Sequence, residues 1–333
     1  MSDPHSKAPS EPVRPPRPPF DHDIWRALES QGDAVVTDMR PEDVPHLRAK
    51  AIAPDEAACT RDGEFTLSRH STVAPDGTRI RIVLLRPHGR EAALPVVFHI
   101  HGGGMVVGSA YDSLPQLTEL AHEVGAAVAS VEYRLAPEHP YPAAVEDSYA
   151  GLAWLSTNAA SLGLDPARII VHGVSAGGGL AAAVALLARD RGTPHLLGQM
   201  LICPMLDHRN NSASGRQMAG VGAWDRTANE TGWSLYLGDI PHDEVPIYAS
   251  PARADDLSNL PPAFIDVGSA ETFRDEDLGY ASKIWACGGD AELHVWPGGV
   301  HGFDDLAPDA PLARDARRAR ERWLTRLLDR TRR

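Results

Sequence analysis

The sequence predicts an α/β fold in which a mostly parallel sheet is covered by helices on both faces. From residue 94 onward, short apolar runs of strand length alternate with longer segments of helical length. The runs carry few charges, which is typical of parallel strands buried on both faces. Regular alternation of the two kinds of segment favours one layered α/β core over separate all-α and all-β parts.

The predicted elements follow a simple order along the chain. Two alternating segments flank Pro75-Asp76-Gly77 within 65–87, which predicts a β-hairpin. Apolar strands are then predicted in six runs, at 94–104, 125–133, 167–179, 198–206, 261–269 and 291–299. Helices are predicted at about 114–124, 142–158, 177–190, 272–287 and 311–330.

Three segments lie outside this pattern. Residues 1–20 are rich in proline and polar side chains, which predicts a disordered tail. Weak helical periodicity over 21–60 predicts N-terminal cap helices, and a polar, glycine-rich insertion at 207–247 predicts a small cap or lid. The core is then expected over 61–206 and 248–333. The cap would cover the carboxyl edge of the sheet, where open α/β sheets bind ligands.

Composition excludes several classes of protein and of site. Lys and Arg number 32 against 45 Asp and Glu, a formal charge of −13, and such a surface repels nucleic acid and anionic lipid. No apolar run reaches the roughly 18 residues that span a membrane, and the N-terminus lacks the apolar core of a signal peptide. Three widely spaced cysteines without a CxxC pair argue against disulfides and structural zinc. We therefore predict a soluble cytoplasmic protein without metal or cofactor, and leave open whether it is a homodimer.

One motif predicts the chemistry of the core. Gly173-Val174-Ser175-Ala176-Gly177 fits G-x-S-x-G and lies where a strand ends and an alanine-rich helix begins. The chemistry needs a sharp turn that lifts the serine hydroxyl above the sheet, and flanking glycines give that backbone room. The helix behind Ser175 also favours negative charge near its first turn. Ser175 is the predicted nucleophile, and the alternative is an incidental serine in a glycine-rich turn.

A second glycine-rich motif, His101-Gly102-Gly103-Gly104, directly follows the first strand of the alternating pattern. Three glycines let the backbone approach a ligand and aim its N–H groups at one place, as a tetrahedral oxyanion requires. The N–H groups of Gly103, Gly104 and Ala176 are therefore the predicted oxyanion-hole donors. The alternative for this motif alone is a flexible loop or a phosphate-binding nest.

His301 and Glu271 complete a predicted triad. His301 follows the last apolar strand, on a loop from which an imidazole can exchange a proton with Ser175. The acid should lie between the serine and the histidine in the chain. Glu271 comes first beyond the strand at 261–269, at the edge where catalytic residues cluster, whereas Asp275 comes about a helical turn later and is the alternative.

Two tryptophans of the predicted cap are candidates for the substrate pocket. Trp224 and Trp233 lie within the 207–247 insertion and offer apolar walls for an acyl chain. The alternative is that they only pack the cap onto the core.

Five motifs in order resemble the hormone-sensitive lipase family of carboxylesterases: HGGG at 101–104, VEYRLAPEHPYPAA at 131–144, GVSAGG at 173–178, ETFRDE at 271–276 and VHGF at 300–303. The resemblance implies an α/β-hydrolase fold with a helical cap, and hydrolysis of short-chain carboxylic esters without a cofactor. Val174 stands where the family often has Asp or Thr, and Glu271 where it often has Asp. Arg134 and Glu138 resemble a structural signature of the family and are predicted to be scaffold.

These residues predict a two-step acyl transfer from a small-molecule ester through an acyl-enzyme. One alternative is an amidase or peptidase on the same fold. Another is a binding module without catalysis, because plant gibberellin receptors resemble this family but lack the histidine. Ser175, Glu271 and His301 are all present here, which favours the esterase.

Overall fold

A computed structural model describes residues 15–32, 35–50, 55–89 and 92–330. These residues form a sheet of eight strands in the order β1-β2-β4-β3-β5-β6-β7-β8. The strands are β1 (Phe65–Val73), β2 (Arg79–Pro87), β3 (Leu94–Ile100), β4 (Ala127–Glu132), β5 (Leu164–Val174), β6 (Gly198–Ile202), β7 (Ala263–Gly268) and β8 (Ala291–Trp296). β2 runs antiparallel to both its neighbours, and every other neighbouring pair is parallel. The predicted hairpin is therefore confirmed, and a strand lies in each of the six predicted runs. The strands at 94–104, 167–179 and 198–206 end four or five residues earlier than predicted, at Ile100, Val174 and Ile202, because the chain leaves the sheet there to form the loops at its carboxyl edge.

The described residues also form eleven α-helices. These are α1 (His22–Gln31), α2 (Val44–Ala49), α3 (Glu56–Cys59), α4 (Leu114–Val124), α5 (Ala143–Asn158), α6 (Ala176–Arg191), α7 (Ala213–Gln217), α8 (Arg226–Leu237), α9 (Arg274–Ala286), α10 (Phe303–Leu306) and α11 (Pro311–Asp329). α4 and α11 pack on one face of the sheet, and α5, α6 and α9 pack on the other. Because both faces are covered, β3, β6 and β7 are buried along their whole length.

The topology brings the predicted site residues to one edge of the sheet. Parallel strands end on the same side, and β3 ends immediately before the glycine motif at 101–104 while β5 ends immediately before Ser175. β7 and β8 end a few residues before Glu271 and His301. Side chains that are far apart in sequence therefore meet above the carboxyl ends of these strands.

The predicted cap insertion at 207–247 contains α7 and α8. The backbone N–H of Trp224 donates to the Val36 carbonyl at 2.8 Å, and the N–H of Asp225 donates to Thr37 at 3.0 Å. These bonds join the insertion to the N-terminal segment. The division into core and cap stays a prediction, and most of the predicted N-terminal tail lies outside the described residues.

The remaining predictions concern compartment and assembly. Cys59, Cys203 and Cys287 are free thiols, the first two of them buried. Among the helices in the described part of the chain, none has both the length and the apolar character needed to cross a bilayer. Cytoplasmic location stays a prediction, and whether the protein is a homodimer stays open.

Candidate active site

Ser175 occupies a tight turn between β5 and α6. Its φ of 58° and ψ of −123° are unusual for an L-residue, and such a conformation persists only where its surroundings enforce it. A Cβ on Gly173 would overlap the carbonyl group of Gly177, and a Cβ on Gly177 would overlap the carbonyl oxygen of Ile100. Glycine is therefore required at both ends of the motif because the backbones pack directly against each other.

Hydrogen bonds hold this turn on the sheet. The N–H of Ser175 donates to the Ile202 carbonyl at 2.8 Å, and its own carbonyl accepts from the N–H of Met205 at 3.0 Å. α6 starts at Ala176, so the positive end of its dipole lies directly behind the serine. The turn fixes the hydroxyl at the helix end that best tolerates a developing negative charge.

His301 lies between Ser175 and Glu271. Its Nε2 is 2.9 Å from Ser175 Oγ, and its Nδ1 is 2.8 Å from Glu271 Oε1. The Glu271 side chain is 0% exposed, so little water competes for the imidazole. With a carboxylate as its partner, Nδ1 carries the proton and Nε2 is left to accept the serine proton.

Asp275, the alternative acid, lies elsewhere. Its Oδ2 accepts from the N–H of Ser214 at 2.8 Å, at the start of α7, and its Oδ1 accepts from the Arg274 side chain at 2.8 Å. These contacts connect α9 to the predicted cap. The structure brings Glu271, not Asp275, to His301.

The segment at 101–107, here called the oxyanion loop, runs alongside the serine. A Cβ on Gly102 would lie 3.4 Å from Ser175 Cβ. Gly103 and Gly104 have φ values of 101° and 62°, which glycine adopts without strain. Their N–H groups donate to no other residue that the structure describes. The N–H of Ala176 is likewise free of an intrahelical acceptor, because it opens α6.

Two aromatic side chains hold the oxyanion loop, His101 from within it and Tyr133 from beside it, and sequence reasoning missed both as functional residues. His101 donates from Nδ1 to the Gly102 carbonyl at 2.8 Å, and the Tyr133 hydroxyl donates to the carbonyls of His101 at 2.9 Å and Gly102 at 3.3 Å. Burial lowers the pKa of His101 to about 4, so its ring is neutral. Because a peptide unit is planar, holding the Gly102 carbonyl also orients the N–H of Gly103. The pairing of β3 with β4 creates these contacts. Both residues lie in motifs quoted from the sequence, but the motifs do not indicate these hydrogen bonds.

The two candidate tryptophans have different surroundings. A Cβ on Gly104 would overlap the ring of Trp224, and the centre of that ring lies 6.4 Å from the centre of the His301 ring. Trp233 instead packs against His208 and Tyr236, with ring centres 6.2 Å apart in each pair. Both rings are buried, so their neighbours distinguish them. The structure brings Trp224 to the site, while Trp233 fits the alternative of a packing residue because its ring neighbours are His208 and Tyr236.

Two cavities flank the catalytic edge. One of about 340 Å³ lies on the cap side and is bordered by Val36, Trp224 and His301. The other, of about 390 Å³, lies between α4 and α11 and has Val174 and Cys203 in its wall. Ligand pockets span roughly 300–1,000 Å³, so both are at the small end of that range.

Cys203 is a neighbour of the triad that sequence reasoning did not place there. Its Sγ, a Glu271 carboxylate oxygen and a His301 ring nitrogen lie within 4.8 Å of one another, and they form the candidate metal site among the described residues. Burial and the nearby charge of Glu271 raise the pKa of the Cys203 thiol well above its ordinary value. A neutral thiol is a poor ligand, and both nitrogens of His301 already have partners.

The two predicted scaffold residues form ion pairs away from Ser175. The Arg134 guanidinium binds both oxygens of the buried Asp147 at 2.7 and 2.8 Å. Glu138 accepts from Arg48 of α2 at 2.8 Å. Both contacts join chain segments and touch no residue of the triad.

Comparison with known proteins identifies the family. Residues 97–305, more than half of the chain, match a family model described as alpha/beta hydrolase fold. Carboxylesterase NlhH of Mycobacterium tuberculosis is 41% identical over 251 residues, 74% of this chain and 78% of NlhH. Esterase LipI of the same organism is 39% identical over 246 residues, 73% of this chain and 75% of LipI. The solved structure of a bacterial heroin esterase has a TM-score of 0.83 at 34% identity and covers 93% of this chain and 98% of its own. This chain therefore belongs to the α/β-hydrolase family, in the group that resembles hormone-sensitive lipase and includes these carboxylic ester hydrolases.

Proposed function

We propose that this chain hydrolyses small carboxylic esters with Ser175 as nucleophile, His301 as general base and Glu271 as the orienting acid. The observation that carries the proposal is the hydrogen-bonded series Ser175–His301–Glu271, at 2.9 and 2.8 Å, beside the free N–H groups of the oxyanion loop. The names of the relatives, carboxylesterase and esterase, support the same chemistry.

The proposed reaction has two steps. His301 takes the Ser175 proton as Oγ attacks the ester carbonyl carbon, and the carbonyl π electrons move onto oxygen. The N–H groups of Gly103, Gly104 and Ala176 stabilise that oxyanion. His301 then protonates the departing alkoxide oxygen as the C–O bond breaks, which leaves an acyl-enzyme. Water attacks the acyl-enzyme in the same way and releases the acid.

A comparison of matched substrates tests the reaction class. We expect kcat/KM on p-nitrophenyl butyrate to exceed that on butyryl p-nitroanilide by at least about 100-fold, roughly 2.7 kcal/mol in activation free energy. An organophosphonate should label one serine per chain. A faster anilide would favour the amidase alternative, and absence of both turnover and labelling would favour a binding module.

A preference for short acyl chains is the second part of the proposal. The ring of Trp224 lies across Gly104 and beside His301, and together with His301 it borders the cavity of about 340 Å³. We expect butyryl esters to be hydrolysed with higher kcat/KM than palmitoyl esters. Trp224→Ala should improve decanoyl relative to butyryl hydrolysis by about tenfold. That factor is about 1.4 kcal/mol, the value of roughly one further methylene accommodated in an apolar pocket.

Trp233→Phe is the matched control for this prediction, because it alters a neighbouring tryptophan that packs on His208 and Tyr236. It should leave the chain-length profile unchanged. A wild-type preference for palmitoyl esters would contradict the short-chain proposal, and an unchanged profile in Trp224→Ala would exclude Trp224 as the limiting wall.

A further inference from the structure

One guanidinium group connects the N-terminal helices to the oxyanion loop. Arg48, on α2, donates from Nε to the carbonyl of Val106 at 2.7 Å and from Nη2 to the carbonyl of Ala136 at 2.6 Å. It also donates from Nη1 to Glu138 at 2.8 Å. The guanidinium thus binds two backbone carbonyls from different segments, a task suited to its rigid fork of donors.

The bond from Arg48 to the Val106 carbonyl stabilises the turn that carries Gly104, a proposed oxyanion donor. The N–H groups of Val106 and Val107 both donate to the carbonyl of Gly103, each at 3.0 Å. The peptide unit between Gly103 and Gly104 is planar and trans, so its carbonyl and its N–H point in opposite directions. Fixing the carbonyl of Gly103 therefore fixes the direction of the Gly104 N–H.

The bond from Arg48 to the Ala136 carbonyl holds a second segment against the same loop. The N–H of Ala136 donates to the Met105 carbonyl at 2.9 Å, while its carbonyl accepts from Arg48. Met105 has a φ of 59°, a conformation that costs energy for a residue with a Cβ and must be held by its neighbours. Arg48 and Ala136 together hold the residues on both sides of the Met105–Val106 peptide.

The third contact of Arg48 contributes less. Glu138 is 58% exposed, and ion pairs in contact with water are worth little because both charges are well solvated. The backbone contacts of Arg48 are therefore the ones that matter for the loop, which makes Glu138 a suitable control.

We propose that Arg48 is a positioning residue of the oxyanion hole, acting on the transition state through the orientation of the Gly104 N–H. It does not contact the substrate. The inference rests on the proposed function, because it assigns a role within the same site. It predicts that Arg48 affects the stability of the tetrahedral state more than the binding of the ground-state ester.

Arg48→Met tests this role because methionine keeps most of the aliphatic stem and removes all donors. We expect kcat on p-nitrophenyl butyrate to fall about 10- to 100-fold, somewhat less than the loss of a whole oxyanion donor, with KM changed by less than about threefold. A trifluoromethyl ketone, which forms a tetrahedral adduct with the serine, should bind more weakly by the same factor as kcat/KM. Added methylguanidinium should restore part of kcat.

Glu138→Gln is the matched control and should keep kcat within about threefold of wild type. Melting temperatures identify variants that lose activity only because the fold is destabilised. If Arg48→Met does not fold, Arg48→Lys is tested in its place. The inference is overturned if folded Arg48→Met keeps wild-type kcat, or if kcat falls while ketone binding is unchanged. An active Ser175→Ala would instead overturn the proposed function, so the two failures are distinguishable.

Discussion

Ser175→Ala is expected to lower kcat by about 10⁶-fold on p-nitrophenyl acetate, because nucleophile and base act as a unit and neither substitutes for the other. The hydroxyl 2.9 Å from His301 Nε2 is the atom that would form the acyl-enzyme. Alanine also has a Cβ, so it should not relax the unusual backbone at this position, and the fold should be retained. The measurement is steady-state kcat together with circular dichroism of the purified variant.

Cys203→Ala is the control for that experiment. The thiol lies next to Glu271 and His301 but has no part in the proposed proton transfer. Its removal should change kcat by less than about tenfold. If Ser175→Ala retains activity within tenfold of wild type, Ser175 is not the nucleophile.

Glu271→Gln is expected to lower kcat by about 10³- to 10⁴-fold with the fold intact. Glutamine preserves the shape of the side chain, so the change removes mainly the negative charge that orients His301 and stabilises its protonated form. Catalysis through the oxyanion hole would survive and account for the residual rate.

Asp275→Asn provides the comparison, because Asp275 was the alternative acid and its carboxylate binds Ser214 and Arg274 instead of His301. We expect its kcat to stay within about tenfold of wild type. A larger loss in Asp275→Asn than in Glu271→Gln, both measured on the same ester, would reverse the assignment of the acid.

The parts of the site that were predictable from sequence are those with strong local requirements. Gly173 and Gly177 are needed because a turn this tight admits no Cβ, and that requirement produces a recognisable motif. The presence and order of the strands were also predictable from apolar runs, and in a parallel sheet that order places His301 and Ser175 at the same edge. The parallel arrangement itself followed from the alternation of strands and helices.

The features of the site that were not predictable from sequence depend on single contacts between segments that are distant along the chain. Arg48 and Tyr133 reach the oxyanion loop only because α2 and β4 fold beside it. Nothing in the sequence around Arg48 distinguishes it from other arginines, and the motif at 131–144 that contains Tyr133 does not indicate which groups its hydroxyl binds. The different surroundings of Trp224 and Trp233 likewise depend on how α8 packs, and the placement of β4 between β2 and β3 follows from tertiary packing.

The backbone packing around Ser175 distinguishes positions that tolerate substitution from positions that do not. A side chain at Gly178 or Gly179 would also meet main-chain atoms, those of Pro204 and Met205 respectively. The turn is therefore held by backbone atoms, which are the same in every residue type. Trp224, by contrast, meets the site through its side chain. Mutation of such a side chain can therefore change the surroundings of Ser175 while the serine stays in place, whereas one methyl group added at Gly177 would displace it.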